Sequence, residues 1–211
     1  MGTLGSVALL SRDEFNAIET DAAYSGEHAA AAQQMDELAR TGTPAPEISR
    51  AEAYLRASDQ WLQADDPAAA ADSCRRAIAD GGPVSVDPRA PLARAYFLAG
   101  QQDEGRGLIA ELKAEGPADP RTCDLVAELL VDYEDLPGAL EWATAGVELC
   151  LQPAAEPDRD PAPARQLAAV PSPRRGSDDE NELRLLLSLR YRIRNDLGLP
   201  EDRYDAMLDE A

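Results

Sequence analysis

The residue types that most often carry chemistry are few in this chain, and none of them stands in a known catalytic pattern. His28 is the sole histidine and lies among alanines near a predicted helix start. Cys74, Cys123 and Cys150 lie in apolar helical patterns without C-x-x-C spacing, which favours core positions over metal binding. Nucleophile-elbow, metalloprotease, Walker and dinucleotide-binding motifs do not occur. We therefore expect no catalytic residue, no cofactor and no metal.

Three carboxylates, Asp132, Glu134 and Asp135, form the densest acidic group next to a predicted inter-helix turn. Calcium-binding loops need a longer and more regular series of oxygen ligands. Capping of the next helix and solvation of the turn explain these residues better. An enzyme that uses carboxylates in a groove is the least favoured interpretation, because the chain lacks the groups for general acid and base catalysis.

The composition favours an all-α fold. Hydrophobic residues make up 44% of the chain and aromatic residues 5%, with alanine dominant. Small side chains fill little volume, so a core of this kind requires helix backbones that approach closely. The sole alternating β-branched run is Val84-Ser85-Val86, which is too short to predict a sheet.

The charge of the chain limits its partners. The formal net charge is −20, and almost all cations are arginines. A field of this sign repels phosphate backbones, so we expect no nucleic acid ligand. The sequence has no basic and apolar leader and no apolar run of about 20 residues, which predicts neither a signal peptide nor contact with a membrane. Together with the odd number of cysteines, these features predict a cytoplasmic protein.

Helix start and stop signals divide the chain into pairs of helices. Ser11 with Glu14 and Ser49 with Glu52 have capping-box spacing, and Asp-Pro pairs mark several later helix starts. On the second helix of each pair, a small residue stands where the two helices cross, and it recurs about every 34 residues after a longer first interval. These small residues are Ala31, Ala70, Gly105 and Ala139.

This period, the aromatic Trp61 on a first helix and the closing prolines resemble the tetratricopeptide repeat. The resemblance implies an α-α superhelix of about four helix-turn-helix units after an N-terminal segment, 1–10. The units are approximately 11–46, 49–84, 87–118 and 119–151, followed by a Pro-rich linker or loop, 152–176, and by C-terminal capping helices, 177–211. The Arg-rich ending, LRYRIRNDLGLPEDRYD, resembles the C-terminus of actinobacterial repeat proteins, and the excess of arginine over lysine is typical of a GC-rich genome.

In the repeat family, first-helix side chains that point away from the partner helix line a concave groove, and the resemblance implies this role for a set of residues here. The partner-binding set is Asn16, Thr20, Tyr24, Arg56, Asp59, Leu62, Arg94, Phe97, Leu98 and Glu128, with Leu55 and Leu125 beside it. Exposed Leu62, Phe97 and Leu98 would give a mixed apolar and charged surface for an extended or helical peptide. Packing of these side chains against neighbouring helices is the alternative. The Lys and Asn set that grips a peptide's terminal carboxylate in chaperone-binding relatives is not reproduced.

Basic residues concentrate towards the C-terminus, at Arg174, Arg175, Arg184, Arg190, Arg192 and Arg194. They can dock the acidic repeats of the same chain, a partner chain or RNA, and the negative charge of the molecule favours protein contact. We expect a non-catalytic adaptor or regulatory subunit that binds a protein or peptide in the concave groove. The alternative is a scaffold protein that self-associates as a homo-oligomer or docks a partner through the Arg-rich helix.

Overall fold

The computed structural model describes residues 9–152 and 177–209, which form two compact units, 9–108 and 109–152 with 177–209. Helices dominate both units, and neighbouring helices pack against each other, which confirms the all-α prediction. Most of the predicted N-terminal segment and linker lies outside the described residues, as do Arg174 and Arg175. No helix in the described ranges has both the length and the apolar character that crossing a bilayer requires.

The first unit consists of helix pairs joined by short turns. Its helices are α1 (Arg12–Ser25), α2 (His28–Thr41), α3 (Arg50–Gln63), α4 (Pro67–Asp80), α5 (Arg89–Leu98) and the first half of α6 (Gln102–Glu115). The predicted caps explain where several of them begin. Ser11 Oγ accepts a hydrogen bond from Glu14 N at 3.2 Å, and Ser49 and Asp66 cap α3 and α4 in the same way.

Two short strands, β1 (Leu9–Leu10) and β2 (Thr43–Pro44), form a parallel pair that the sequence does not predict. Two residues are too few to show strand alternation. Leu10 of β1 and Phe15 of α1 are fully buried, as the hydrophobic staple at the start of α1 requires. Val84-Ser85-Val86, the strand-like run of the sequence, is not a strand.

The small residues predicted at the helix crossings are buried. Ala31, Ala70 and Ala139 are almost inaccessible to solvent. A Cβ at Gly105 would lie 2.5 Å from Phe97 Cδ2, so only glycine fits under this ring. Dense packing at these positions depends on the small residues, because larger side chains would push the helices apart. The small residues predicted at the helix crossings are therefore packed between helices. The limits of the repeat units stay a prediction.

The turns between paired helices share a residue in the left-handed region. Asp65 has φ 58°, Gly100 has φ 77° and Glu134 has φ 61°. The left-handed region costs a non-glycine residue about 1–2 kcal/mol, since its Cβ approaches the next carbonyl oxygen. Asp65 and Glu134 thus stand where glycine is the easier residue. The aspartates that follow them, Asp66 and Asp135, cap the next helices.

The second unit is organised around a long last helix. After the end of α6 it contains α7 (Pro120–Asp132), α8 (Leu136–Leu151), α9 (Ser177–Asp196) and a 3-10 helix (Asp205–Asp209). The apolar face of α9 packs on α7 and α8, and its Leu186 and Ile193 are fully buried. A Cβ at Gly146 of α8 would lie 2.8 Å from a Leu186 methyl carbon, so this glycine permits the close approach. The short last helix predicted near Met207 is the 3-10 helix.

Candidate functional site

Three first helices of the first unit are neighbours, with α3 in contact with both α1 and α5. The sequence predicts that exposed residues of these helices bind a partner. The structure brings together four members of that set, and Glu19 joins them. We call these five residues the α1–α3–α5 surface: Asn16, Glu19, Arg56, Asp59 and Arg94.

Arg56 ties α3 to α1. Its Nε donates to Glu19 Oε1 at 2.6 Å, and its Nη2 donates to Asn16 Oδ1 at 2.6 Å. The guanidinium also lies 5.5 Å from the centre of the Phe15 ring. Because its pairing with Glu19 is bidentate and its side chain is only 17% exposed, Arg56 is held by the chain itself. Arg56 therefore stabilises the contact between α1 and α3, and its charge is not exposed for a partner.

Asp59 and Arg94 supply charges on this surface that stay accessible. Both residues are exposed, and neither side chain has a hydrogen bond within the described part of the chain. Although solvent reaches Asp59, surrounding protein desolvates its carboxyl and raises its pKa to about 6; Arg94 opposes this rise, while Glu19 and Glu52 add to it. A cation brought by a ligand would therefore stabilise the ionised form of Asp59.

Thr20 and Tyr24 follow Asn16 at helical spacing on α1. Thr20 Oγ1 donates to the Asn16 carbonyl at 2.7 Å, and Tyr24 is 89% exposed. A tyrosine ring with so little cover offers a partner apolar contact area and a hydroxyl group. These three predicted residues thus share one exposed face of α1.

The predicted apolar part of the surface is wrong for Phe97. Phe97 is 2% exposed, because its ring packs on Gly105 and against the guanidinium of Arg106, 5.6 Å from the ring centre. Leu62 is half-buried against the core. Leu98 is 52% exposed and is available to a partner. The alternative stated above, packing against neighbouring helices, therefore holds for Phe97 and in part for Leu62.

Glu128 lies in the second unit, on α7, and is exposed, whereas Leu125 on the same helix is half-buried. One turn before Glu128, desolvation, together with the charges of Glu128 and Glu182, raises the pKa of the half-buried Asp124 to about 6. The sequence prediction missed Asp124, since one polar residue in an apolar helix pattern does not show its burial. It also missed Glu19, which lies three residues after Asn16 and so shares its side of α1.

The arginines of α9 fall into two classes. Arg184 and Arg192 are exposed. Arg190 and Arg194 are paired with aspartates of the segment that follows α9. Hydrogen bonding to Arg190 lowers the pKa of one of these aspartates, Asp202, to about 2. Half of the arginines described on this helix are therefore used within the chain.

The residues first considered for chemistry have structural contacts instead. His28 is half-buried, and its Nδ1 lies 2.9 Å from Gln60 Oε1. Burial raises the pKa of the Cys74 and Cys123 thiols to about 12, which keeps them protonated and unreactive. Asp135 caps α8. In residues 9–152 and 177–209, no group of three His, Cys, Asp or Glu side chains is placed to hold a metal ion.

Comparisons of the chain with protein-family models, with curated proteins and with solved structures give no match. The structure establishes the class only as a helical protein whose neighbouring helices pack against each other. Function is therefore inferred from the residues and their geometry.

Proposed function

We propose that this chain is a non-catalytic binding protein of the tetratricopeptide-repeat type, an adaptor or regulatory subunit that holds a protein or peptide against the α1–α3–α5 surface. One observation carries the proposal. Arg56 is paired with Glu19 and Asn16, while the side chains of the neighbouring Asp59 and Arg94 are exposed and make no hydrogen bond within the described residues. An accessible charge of each sign lets the surface select a ligand by complementary charge.

Other features support the same role. Exposed Tyr24 and Leu98 offer apolar contacts on the two outer helices of the surface, α1 and α5. The recurring small crossing residues and left-handed turns support the tetratricopeptide type. The odd number of cysteines supports a cytoplasmic location, and the Arg-rich ending supports an actinobacterial origin.

Crosslinking and mass spectrometry in the native cell, followed by quantitative pull-down of the crosslinked partner, test the proposal. Arg94→Glu puts a second negative charge near Asp59. We expect it to reduce capture at least about tenfold, since losing a central interface charge costs about 1.4 kcal/mol or more.

Arg40→Glu is the matched control, because it makes the same charge change at an exposed arginine of α2, where the pair with Glu37 is solvent-exposed. It should leave capture within about twofold of the wild type. Equal capture by the Arg94→Glu and Arg40→Glu variants, with unchanged circular dichroism, would contradict a site on the α1–α3–α5 surface.

A second candidate is docking or self-association through the exposed face of α9. Leu185 is 58% exposed there, and Arg184 and Arg192 are exposed on the same helix. Size-exclusion chromatography with light scattering measures self-association, and pull-down with Arg192→Glu measures docking. A monomeric chain whose partner capture survives Arg192→Glu would contradict this candidate.

A further inference from the structure

The segment that follows α9 lies against α8 and α9 as a bound peptide would. Tyr204 is buried, and it packs in one apolar cluster with Val147 of α8 and with Leu186 and Leu187 of α9. Met207 and Leu208 of the same segment pack against this cluster and are half-buried. The three residues that the segment contributes to this cluster therefore lie within seven consecutive positions, 202–208.

The polar contacts of the segment surround one buried guanidinium. Arg190 is 5% exposed at its side chain, and its Nη1 donates to Asp202 Oδ1 at 3.0 Å and to Asp205 Oδ1 at 3.2 Å. Its Nε donates to Thr144 Oγ1 on α8 at 3.0 Å. Arg194 reinforces the pairing, with Nε donating to Asp205 Oδ2 at 3.0 Å. Two carboxylates three residues apart thus match two arginines one helical turn apart.

Tyr204 completes the recognition. Its ring centre lies 4.6 Å from the Arg190 guanidinium carbon and 4.5 Å from that of Arg203. Its hydroxyl donates to Glu148 Oε1 of α8 at 2.9 Å. The groove therefore contacts both the ring face and the hydroxyl group of a tyrosine side chain.

The walls of the groove belong to α8 and α9. α8 and α9 pack directly on each other, and Gly146 lets Leu186 approach α8 closely. The segment joins α9 through residues 198–201, which are exposed and contain Pro200. This short connection is hydrogen-bonded to the end of α9, since Leu199 N donates to the Arg194 carbonyl at 3.0 Å and Arg194 Nη2 donates to the Pro200 carbonyl.

We propose that the groove between α8 and α9 is a second peptide-binding site, that its ligand class is an acidic peptide of the pattern Asp-x-Tyr-Asp-x-Met-Leu, and that residues 202–208 occupy it in the absence of a partner carrying that pattern. A guanidinium that stays buried without a counter-charge is strongly unfavourable, so an occupant that covers Arg190 needs carboxylates. The chain's own segment meets this requirement until a competing peptide replaces it. This site is independent of the α1–α3–α5 surface.

The test uses the full chain with a protease recognition sequence inserted between Gly198 and Leu199, in the exposed connection. After cleavage, a fluorescein-labelled peptide with the sequence of residues 199–208, LPEDRYDAML, is titrated against the nicked chain and the uncut chain by fluorescence anisotropy. The nicked chain should bind at least about tenfold more tightly, because the tethered segment competes at a high effective concentration in the uncut chain.

Two controls define the chemistry. A peptide carrying Asp202→Asn and Asp205→Asn should bind the nicked chain at least about tenfold more weakly, since each lost charge removes a hydrogen-bonded ion pair. A peptide of the same composition in scrambled order should not bind. Equal binding of all three peptides would overturn the proposed specificity.

Two further outcomes would overturn the site itself. A nicked chain that stays folded but takes up no labelled peptide shows that the segment is a permanent cap. A nicked chain that unfolds when its segment dissociates shows that the groove does not exist alone. Light scattering of the uncut Tyr204→Ala chain supplies a separate measurement without cleavage. A dimer there would identify a second copy of the chain as the occupant and contradict the partner peptide.

Discussion

The α1–α3–α5 surface of the first unit and the α8–α9 groove of the second contain the same types of charged residue. They differ in whether those charges are exposed or are paired within the chain. On the first surface Arg56 is paired internally, while Asp59 and Arg94 stay exposed. In the groove Arg190 and Arg194 are covered by the chain's own Asp202 and Asp205. The difference shows that a basic helix is not evidence of an open docking site. What decides accessibility is whether another segment of the chain supplies the counter-charge.

The largest expected effect is on stability, and it distinguishes the paired Arg190 of α9 from the exposed Arg192 of the same helix. Arg190→Gln removes a buried guanidinium that pairs with both Asp202 and Asp205, and we expect it to lower the free energy of unfolding by about 3–5 kcal/mol. Arg192→Gln, two positions along the same helix at an exposed site, should change it by less than about 0.5 kcal/mol. Urea unfolding monitored by circular dichroism measures both. Similar losses for the two variants would remove the distinction between the regions.

A second prediction compares two glycines of α6, one that packs against Phe97 and one that does not. A methyl group at Gly105 would collide with the Phe97 ring, so Gly105→Ala should destabilise the chain by about 1–3 kcal/mol. Gly107, also on α6, faces open space. Gly107→Ala should stabilise the chain by about 0.5–1 kcal/mol, because alanine favours the helix. Thermal unfolding of both variants is the measurement, and changes of the same sign would show that Phe97 is not held against Gly105.

The two regions also predict opposite pH dependences. The pKa of Asp59 rises from 3.8 to about 6 on folding, so its carboxyl increasingly lowers stability as pH rises through this range. The pKa of Asp202 falls from 3.8 to about 2, so its contribution is present above pH 3.8 and is lost as pH falls towards 2. Relative to wild type, Asp59→Asn should therefore gain stability as pH rises from about 4 to about 6.

The matching variant, Asp202→Asn, should show its stability deficit at neutral pH and lose that deficit as pH falls from about 4 to about 2. Urea unfolding at a series of pH values measures the difference between each variant and the wild type. If both stability differences change with pH in the same direction, the predicted contrast between the exposed Asp59 and the ion-paired Asp202 is wrong.

The smallest expected effect concerns a feature that the two units share. Asp65→Gly relieves a left-handed residue in the turn before α4, and Glu134→Gly does the same before α8. The gain in backbone freedom of the unfolded chain offsets part of the relief, so each variant should be more stable by about 0.5–1 kcal/mol. Thermal unfolding compares them with Asp65→Ala, which keeps the strained Cβ and should give no gain. A loss of stability in both glycine variants would show that the turns are not strained.

Several parts of the candidate site follow from local sequence patterns. Asn16, Thr20 and Tyr24 share an exposed face of α1, as helical spacing predicts. Arg56 and Asp59 lie on α3 beside that face. Phe97 was predicted wrongly, because periodicity cannot tell an exposed aromatic side chain from one that packs on a glycine of the next helix. Whether the whole set binds a partner stays a prediction.

By itself, the sequence determined the helices and their pairing. Caps such as Ser49, crossing residues such as Ala70 and the turn before Asp66 act through atoms a few positions apart, so their patterns are visible in the chain. The tertiary structure alone decided which charged side chains are exposed and which are paired within the chain. Arg56 meets Asn16 across 40 positions and Arg190 meets Asp205 across 15, and no local pattern records such distant partners. Charge pairing depends on three-dimensional proximity, and folding brings these residues together only when the helices have packed.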